Sequence, residues 1–127
     1  MNDPAAYLLD KAARAAESAK ALLGLGDTDG ACSRAYYAMF DAARSALATR
    51  GHMPESTKTH GAVHSAFALT FVKTGLVPKE IGRALGQVQD IRLLADYAAE
   101  SIPPDKAEWA VRQAEAFVEA VRTLPST

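Results

Sequence analysis

Residues Ala84 to Tyr97 read ALGQVQDIRLLADY, and their spacing decides the fold class. Wound at about 100° per residue, Ile81, Ala84, Leu85, Val88, Ile91 and Ala95 fall on one side, at the i, i+3, i+4, i+7 spacing of a core-facing helix. Arg92 lies inside that stripe. A guanidinium there needs partners, because burying an unpaired charge costs far more than the marginal stability of a small domain allows. Asp96, one turn on, is the nearest candidate.

The same period runs outward in both directions. Asp3-Pro4 is a helix start by chemistry, Asp as N-cap and Pro at the first position, where no amide is needed. That first helix extends to about Leu23 and stops at Gly24 and Gly26. Asp27 or Asp29 caps a second, running to about Arg50, with Cys32, Ala35, Tyr36, Met39, Phe40, Ala43, Ala46 and Leu47 as its core stripe. Its far side carries Arg34, Tyr37, Asp41 and Ser45 with Ala38 between them, a small and polar mixture that suits a partner-facing surface. Ser56, Thr57 or Thr59 caps a third helix ending near Gly75, with Val63, Ala66, Phe67, Thr70 and Phe71 inward. Pro78 opens the fourth, which runs to about Tyr97, and Pro103-Pro104 separates it from a fifth. The fifth has Ala107, Ala110, Val111, Ala114, Phe117, Val118 and Val121 in its stripe, with Trp109 pointing elsewhere.

No stretch alternates with period two, so the expected fold is all-α: an up-and-down antiparallel bundle of four longer helices and a shorter third. At 127 residues, 49 % hydrophobic and 23 % charged, the chain is expected to form a single domain over residues 1–127. A net charge of −1 excludes the global basic field of a nonspecific nucleic-acid binder and leaves only a local patch. One cysteine, Cys32, excludes an intramolecular disulfide and a cysteine-based zinc site. The N-terminal residues match neither a signal peptide nor a membrane span, so the expected location is the cytoplasm, with no membrane partner.

Four segments carry a family likeness: SRAYYAMFDAAR at Ser33 to Arg44, KTHG at Lys58 to Gly61, FVKTGL at Phe71 to Leu76, and RLLADY at Arg92 to Tyr97. In that order they resemble the HEPN superfamily, specifically its small single-domain prokaryotic members with an R-x-x-A-D-Y segment. The resemblance implies a helical bundle that forms a homodimer with its active-site helices together. It further implies a toxin and antitoxin type module with a minimal nucleotidyltransferase partner, RNA or nucleotide as ligand, and metal-independent ribonuclease activity in many relatives. Their motif is Arg, four to six residues, then His. Here Arg92 fits the arginine, but Tyr97, Ala98 and Ala99 occupy the histidine's permitted places.

Metal-free RNA cleavage needs a base for the ribose 2′-hydroxyl, a cation for the charge on phosphorus and an acid for the leaving oxygen. Arg92 suits the second task, and Asp96 and Tyr97 are the remaining catalytic candidates on its helix. Arg34, Tyr37, Asp41, Lys58 and His60 are candidates for holding RNA or nucleotide, with Lys58 and His60 near a helix N-terminus that favours anions. Arg92 and Tyr97 lie about 140° apart on an intact helix, so they converge only if it loosens near Asp96 or if two subunits meet there. Gly82 and Gly86 open a smooth side that suits such a contact. His60 and His64 have the i, i+4 spacing of zinc ligands, but no Glu lies between them and no third ligand is evident, so neither a metal nor a cofactor is expected. A non-catalytic helical interaction or scaffold subunit is the alternative reading.

Overall fold

The computed structural model describes residues 3–52 and 59–125. Five α-helices form the bundle: α1 (Pro4–Gly24), α2 (Thr28–Ala48), α3 (His60–Phe67), α4 (Lys79–Ala98) and α5 (Pro104–Arg122). The described residues contain no strand. Asp3 caps α1 through Ala5 N (3.0 Å), Asp27 caps α2 through Gly30 N (2.8 Å), and Thr59 caps α3 through Ala62 N (3.1 Å). Each side-chain oxygen thus satisfies an amide that has no partner within the helix. Between α1 and α2 the chain turns at Gly26, whose φ of 83° is open to a residue without Cβ. Ser56, Thr57 and Lys58, named above as caps or as a ligand contact, lie outside the described residues.

The four long helices alternate in direction. Ser45 Oγ, near the end of α2, donates to Ala5 O at the start of α1 (2.6 Å), so those two are antiparallel. Asp29 at the start of α2 accepts from Ile102 N just before α5 (2.8 Å), and Arg50 beyond the end of α2 donates to Pro125 O beyond the end of α5 (3.0 Å). Hence α2 and α5 run in the same sense. Buried alanines at Ala12, Ala15, Ala16 and Ala19 of α1 and at Ala35, Ala38, Ala42 and Ala46 of α2 permit close approach of helix backbones. At the other end Phe67, Phe71 and Phe117 meet with centroids 5.0–5.1 Å apart. All seven residues of the expected α5 stripe are buried. Trp109 is half-buried and packs on the core.

Two expectations change. The far side of α2 is not free for a partner, because Ala38, Asp41 and Ser45 are buried within the protomer and Ser45 is tied to α1. The third helix is shorter than its sequence suggests: after Phe67 the backbone widens into a π-helical turn, Ala68–Val72. That turn lies against Gly82 of α4, where an added Cβ would meet Val72 Cγ2 at short range. Gly82 therefore serves a contact inside the protomer, while Gly86 has open space around it.

Candidate functional site

The site is built around Tyr36, on the buried face of α2 and fully enclosed. His60 and His64 stand one turn apart on α3 and both reach it. Tyr36 Oη lies 2.5 Å from His60 Nδ1 and 2.9 Å from His64 Nε2. A hydroxyl carries one proton, so it donates to one imidazole and accepts an N–H from the other. The His60 ring stacks on Phe40 (centroids 4.5 Å apart) and on Tyr36 (5.4 Å), which fixes its orientation. Tyr37, half-buried, meets Tyr36 edge-on at 5.6 Å and His60 at 6.3 Å.

From α4, Arg92 closes the cluster. Its guanidinium carbon lies 5.0 Å from the Tyr36 ring centroid and 5.4 Å from that of Tyr37. Ring faces carry partial negative charge, and such contacts offset part of the cost of desolvating a cation. No carboxylate does so: the ion pairs among the described residues are Arg14 with Asp10 and Arg44 with Asp41. Asp96 is exposed, one helical turn past Arg92, and the expected Arg92–Asp96 pair does not form. The Arg92 Nε is buried without a hydrogen-bond partner.

This charge acts on its neighbours. His60 is held below the usual imidazole pKa, first by burial and then by Arg92. His64 is also lowered, first by burial and then by His60, with Asp90 pulling the other way. Both imidazoles are therefore neutral at pH 7. The Tyr36 hydroxyl is pushed up by burial despite Arg92 and stays protonated. A neutral His60 imidazole in the field of a guanidinium that pairs with no carboxylate makes a place where an anion is attracted and a proton can be accepted. A metal cation is disfavoured by that same guanidinium, and no group of three or more His, Cys, Asp or Glu suited to a metal occurs among the described residues.

The other candidates separate. Tyr97 is 86 % exposed and Arg34 is exposed, while Asp41 is buried beside Arg44 (3.8 Å). Helix α4 stays intact to Ala98 and ends at Ala99 in the left-handed conformation (φ 56°), so Arg92 and Tyr97 do not converge within one protomer. Tyr97 instead lines a groove of about 590 Å³ with Leu93, Leu94, Ile102 and Lys106. Sequence reasoning took Tyr36 as core and weighed His64 only as half of an incomplete zinc pair. The missed signal was periodicity: His60, Val63, His64, Phe67 and Phe71 form one inward stripe, in which two histidines needed explaining as much as Arg92 did.

Comparison with known proteins agrees with the helical architecture. The HEPN domain family matches residues 5–124. The chain is 34 % identical over 92 residues to a Methanocaldococcus jannaschii protein named "Putative toxin", a match covering 72 % of this chain and 66 % of that protein, just under two thirds of its length. It is 32 % identical over 120 residues to a Thermotoga maritima protein named "UPF0332 protein", covering 93 % of this chain and 88 % of the relative. A second M. jannaschii protein named "Putative toxin" is 30 % identical over 112 residues, covering 87 % and 74 %. With nearly the whole chain matched and the helices in place, the protein belongs to the HEPN domain family.

Proposed function

We propose that this HEPN protein binds RNA through Arg92 and cleaves it without a metal, as the toxin-like component of a module with a nucleotidyltransferase partner. The observation that carries the reading is Arg92, a cation held on two tyrosine rings with no carboxylate, beside the neutral His60 imidazole. Arg92 takes the charge developing on phosphorus and His60 accepts the 2′-hydroxyl proton. His60 thus performs the task left vacant at Tyr97. Relatives named as toxins support the biological setting. A homodimer fits the exposed Leu93, Leu94 and Tyr97 on α4, which a second copy would cover.

The test is incubation of purified protein with mixed RNA in EDTA beside Arg92→Ala and His60→Ala. Cleavage by the wild type, lost in both variants, is the expected result. Absence of cleavage by the wild type overturns it. A second reading, a non-catalytic scaffold that keeps the fold, draws support from Tyr97, exposed where the family motif places its histidine. RNA binding weakened by Arg92→Ala, with no cleavage by any form, would favour a binding subunit. A monomer in light scattering at micromolar concentration would remove the homodimer.

A further inference from the structure

We propose that His60, Tyr36 and His64 form a proton relay, in which His60 is the base and the Tyr36 hydroxyl transmits the accepted charge to His64. The inference rests on the ribonuclease reading of Arg92 and adds two positioning residues to it, Tyr36 and His64.

The geometry is a continuous hydrogen-bonded chain, His60 Nδ1 to Tyr36 Oη to His64 Nε2, at 2.5 and 2.9 Å. One hydroxyl proton between two neutral imidazoles allows two arrangements. In the first, Tyr36 donates to His60, which leaves an N–H on the outward Nε2 of His60 and a bare outward Nδ1 on His64. In the second, Tyr36 donates to His64 and accepts from His60 Nδ1–H, so that the outward His60 Nε2 is bare and the outward His64 Nδ1 carries the proton. Charged groups act on both rings. Arg92, above the Tyr36 and Tyr37 rings, disfavours imidazolium at His60, while at His64 burial and His60 disfavour it and Asp90 favours it. A cation favours a lone pair near it and an anion favours an N–H. The second arrangement alone leaves His60 a free lone pair and so makes it a base, and the relay takes that form. Around these groups α2 contributes the rings of Tyr36, Tyr37 and Phe40, with the Arg44 guanidinium 5.9 Å from the Phe40 centroid.

The step balances as follows. The 2′-oxygen bonds to phosphorus while its proton passes to His60 Nε2. His60 Nδ1–H passes to the Tyr36 oxygen, and the Tyr36 O–H proton passes to His64 Nε2. The bond from phosphorus to the 5′-oxygen breaks, and that oxygen takes a proton from water. His64, now imidazolium, later returns its proton to neutralise the hydroxide so formed, and the products are a 2′,3′-cyclic phosphate and a 5′-hydroxyl. Positive charge thereby ends on His64, where Asp90 favours it, rather than on His60, where Arg92 opposes it. Tyr36 cannot itself be the base, since its hydroxyl is buried and stays protonated.

The decisive measurement is the tautomeric state of both histidines in wild-type protein, from long-range proton–nitrogen correlation spectra of the ¹⁵N-labelled imidazoles at neutral pH. The relay requires both rings to carry their proton on Nδ1, against the usual preference of free histidine for Nε2–H. A His60 with its proton on Nε2 overturns it, whatever the activity. Tyr36→Phe keeps the ring and removes the hydroxyl; kcat should then fall on the order of 10- to 100-fold with KM within about twofold, as when a hydrogen-bonded partner behind a catalytic group is lost. An unchanged kcat overturns the relay while leaving the ribonuclease intact. Absence of cleavage by the wild type overturns the ribonuclease and the relay with it.

Discussion

Two glycines four residues apart on α4 should respond oppositely to the same substitution. A Cβ built on Gly86 meets nothing within 4 Å, so Gly86→Ala gains helix propensity at no steric cost, about 1 kcal/mol. A Cβ on Gly82 would lie 2.5 Å from Val72 Cγ2, closer than real Cβ contacts come. Val72 is β-branched and sits in the π-helical turn, where a stiff side chain cannot swing aside freely. Relieving that overlap costs about 1–3 kcal/mol, so Gly82→Ala nets between about 0 and 2 kcal/mol of destabilisation after its own propensity gain. The two variants should differ by about 1–3 kcal/mol, and for a chain of this length each kcal/mol moves the melting midpoint by about 4 °C. Urea titration at a common low protein concentration, with unchanged m-values, reads the difference as a shift in midpoint. Gly82→Ala equal to or more stable than Gly86→Ala would refute the claim that the π turn and α4 are in close contact. The same Gly86→Ala protein in light scattering tests whether a second copy covers that open position.

Further outcomes follow from the same contacts. Because His60 and His64 are held below the ordinary imidazole range, the unfolded chain binds more protons below about pH 6.5, and their contribution to stability is full above that pH and lost as pH falls through it. Urea midpoints should therefore rise from pH 5.5 toward about pH 7.5; Asp41, raised by burial, pushes oppositely at lower pH, so a slope that persists in a His60→Ala/His64→Ala double variant counts against this assignment. Burial, with a smaller push from Asp29, raises the Cys32 thiol to about 11, so a disulfide reagent at pH 8 should label the native protein slowly and the urea-unfolded chain at once. Rapid native labelling would contradict that enclosure. Phe67→Ala, which removes the ring touching both Phe71 and Phe117, should cost about 3–5 kcal/mol by urea titration, and a loss under about 1 kcal/mol would mean that the cluster is loosely packed.

The buried stripe of α5 was legible, since one face meets the bundle and the other meets water, and the apolar period then coincides with burial. The core stripe of α2 was legible too, but its far side was not, because that helix is covered on more than one side. There, small and polar residues such as Ala38 and Ser45 mark close packing with an internal hydrogen bond to α1, and composition does not distinguish a neighbour in the same chain from a separate partner. The π turn also escaped the sequence, since one extra residue per turn leaves Phe67 and Phe71 on the same inward side. Tyr36 was placed correctly in the core, yet its hydroxyl meets histidines 24 and 28 residues away, and no local pattern encodes those contacts.

Arg92 shows how a residue singled out in the sequence can be assigned the wrong environment. Its place in an apolar stripe implied a partner, and the search along its own helix found a carboxylate at the right spacing. The bundle supplies aromatic faces from α2 instead. The difference is chemical: an Arg92–Asp96 pair would cancel the charge and leave little to hold phosphate, whereas ring faces stabilise the guanidinium while leaving its full formal charge to an incoming anion. Had Asp96 paired with Arg92, His60 would also feel less of the cation that helps keep it neutral. With Tyr36 and Tyr37 beneath it, Arg92 keeps its charge and adds to the burial that holds His60 neutral, so on the ribonuclease reading substitution of either ring should disturb phosphate binding and imidazole titration at once.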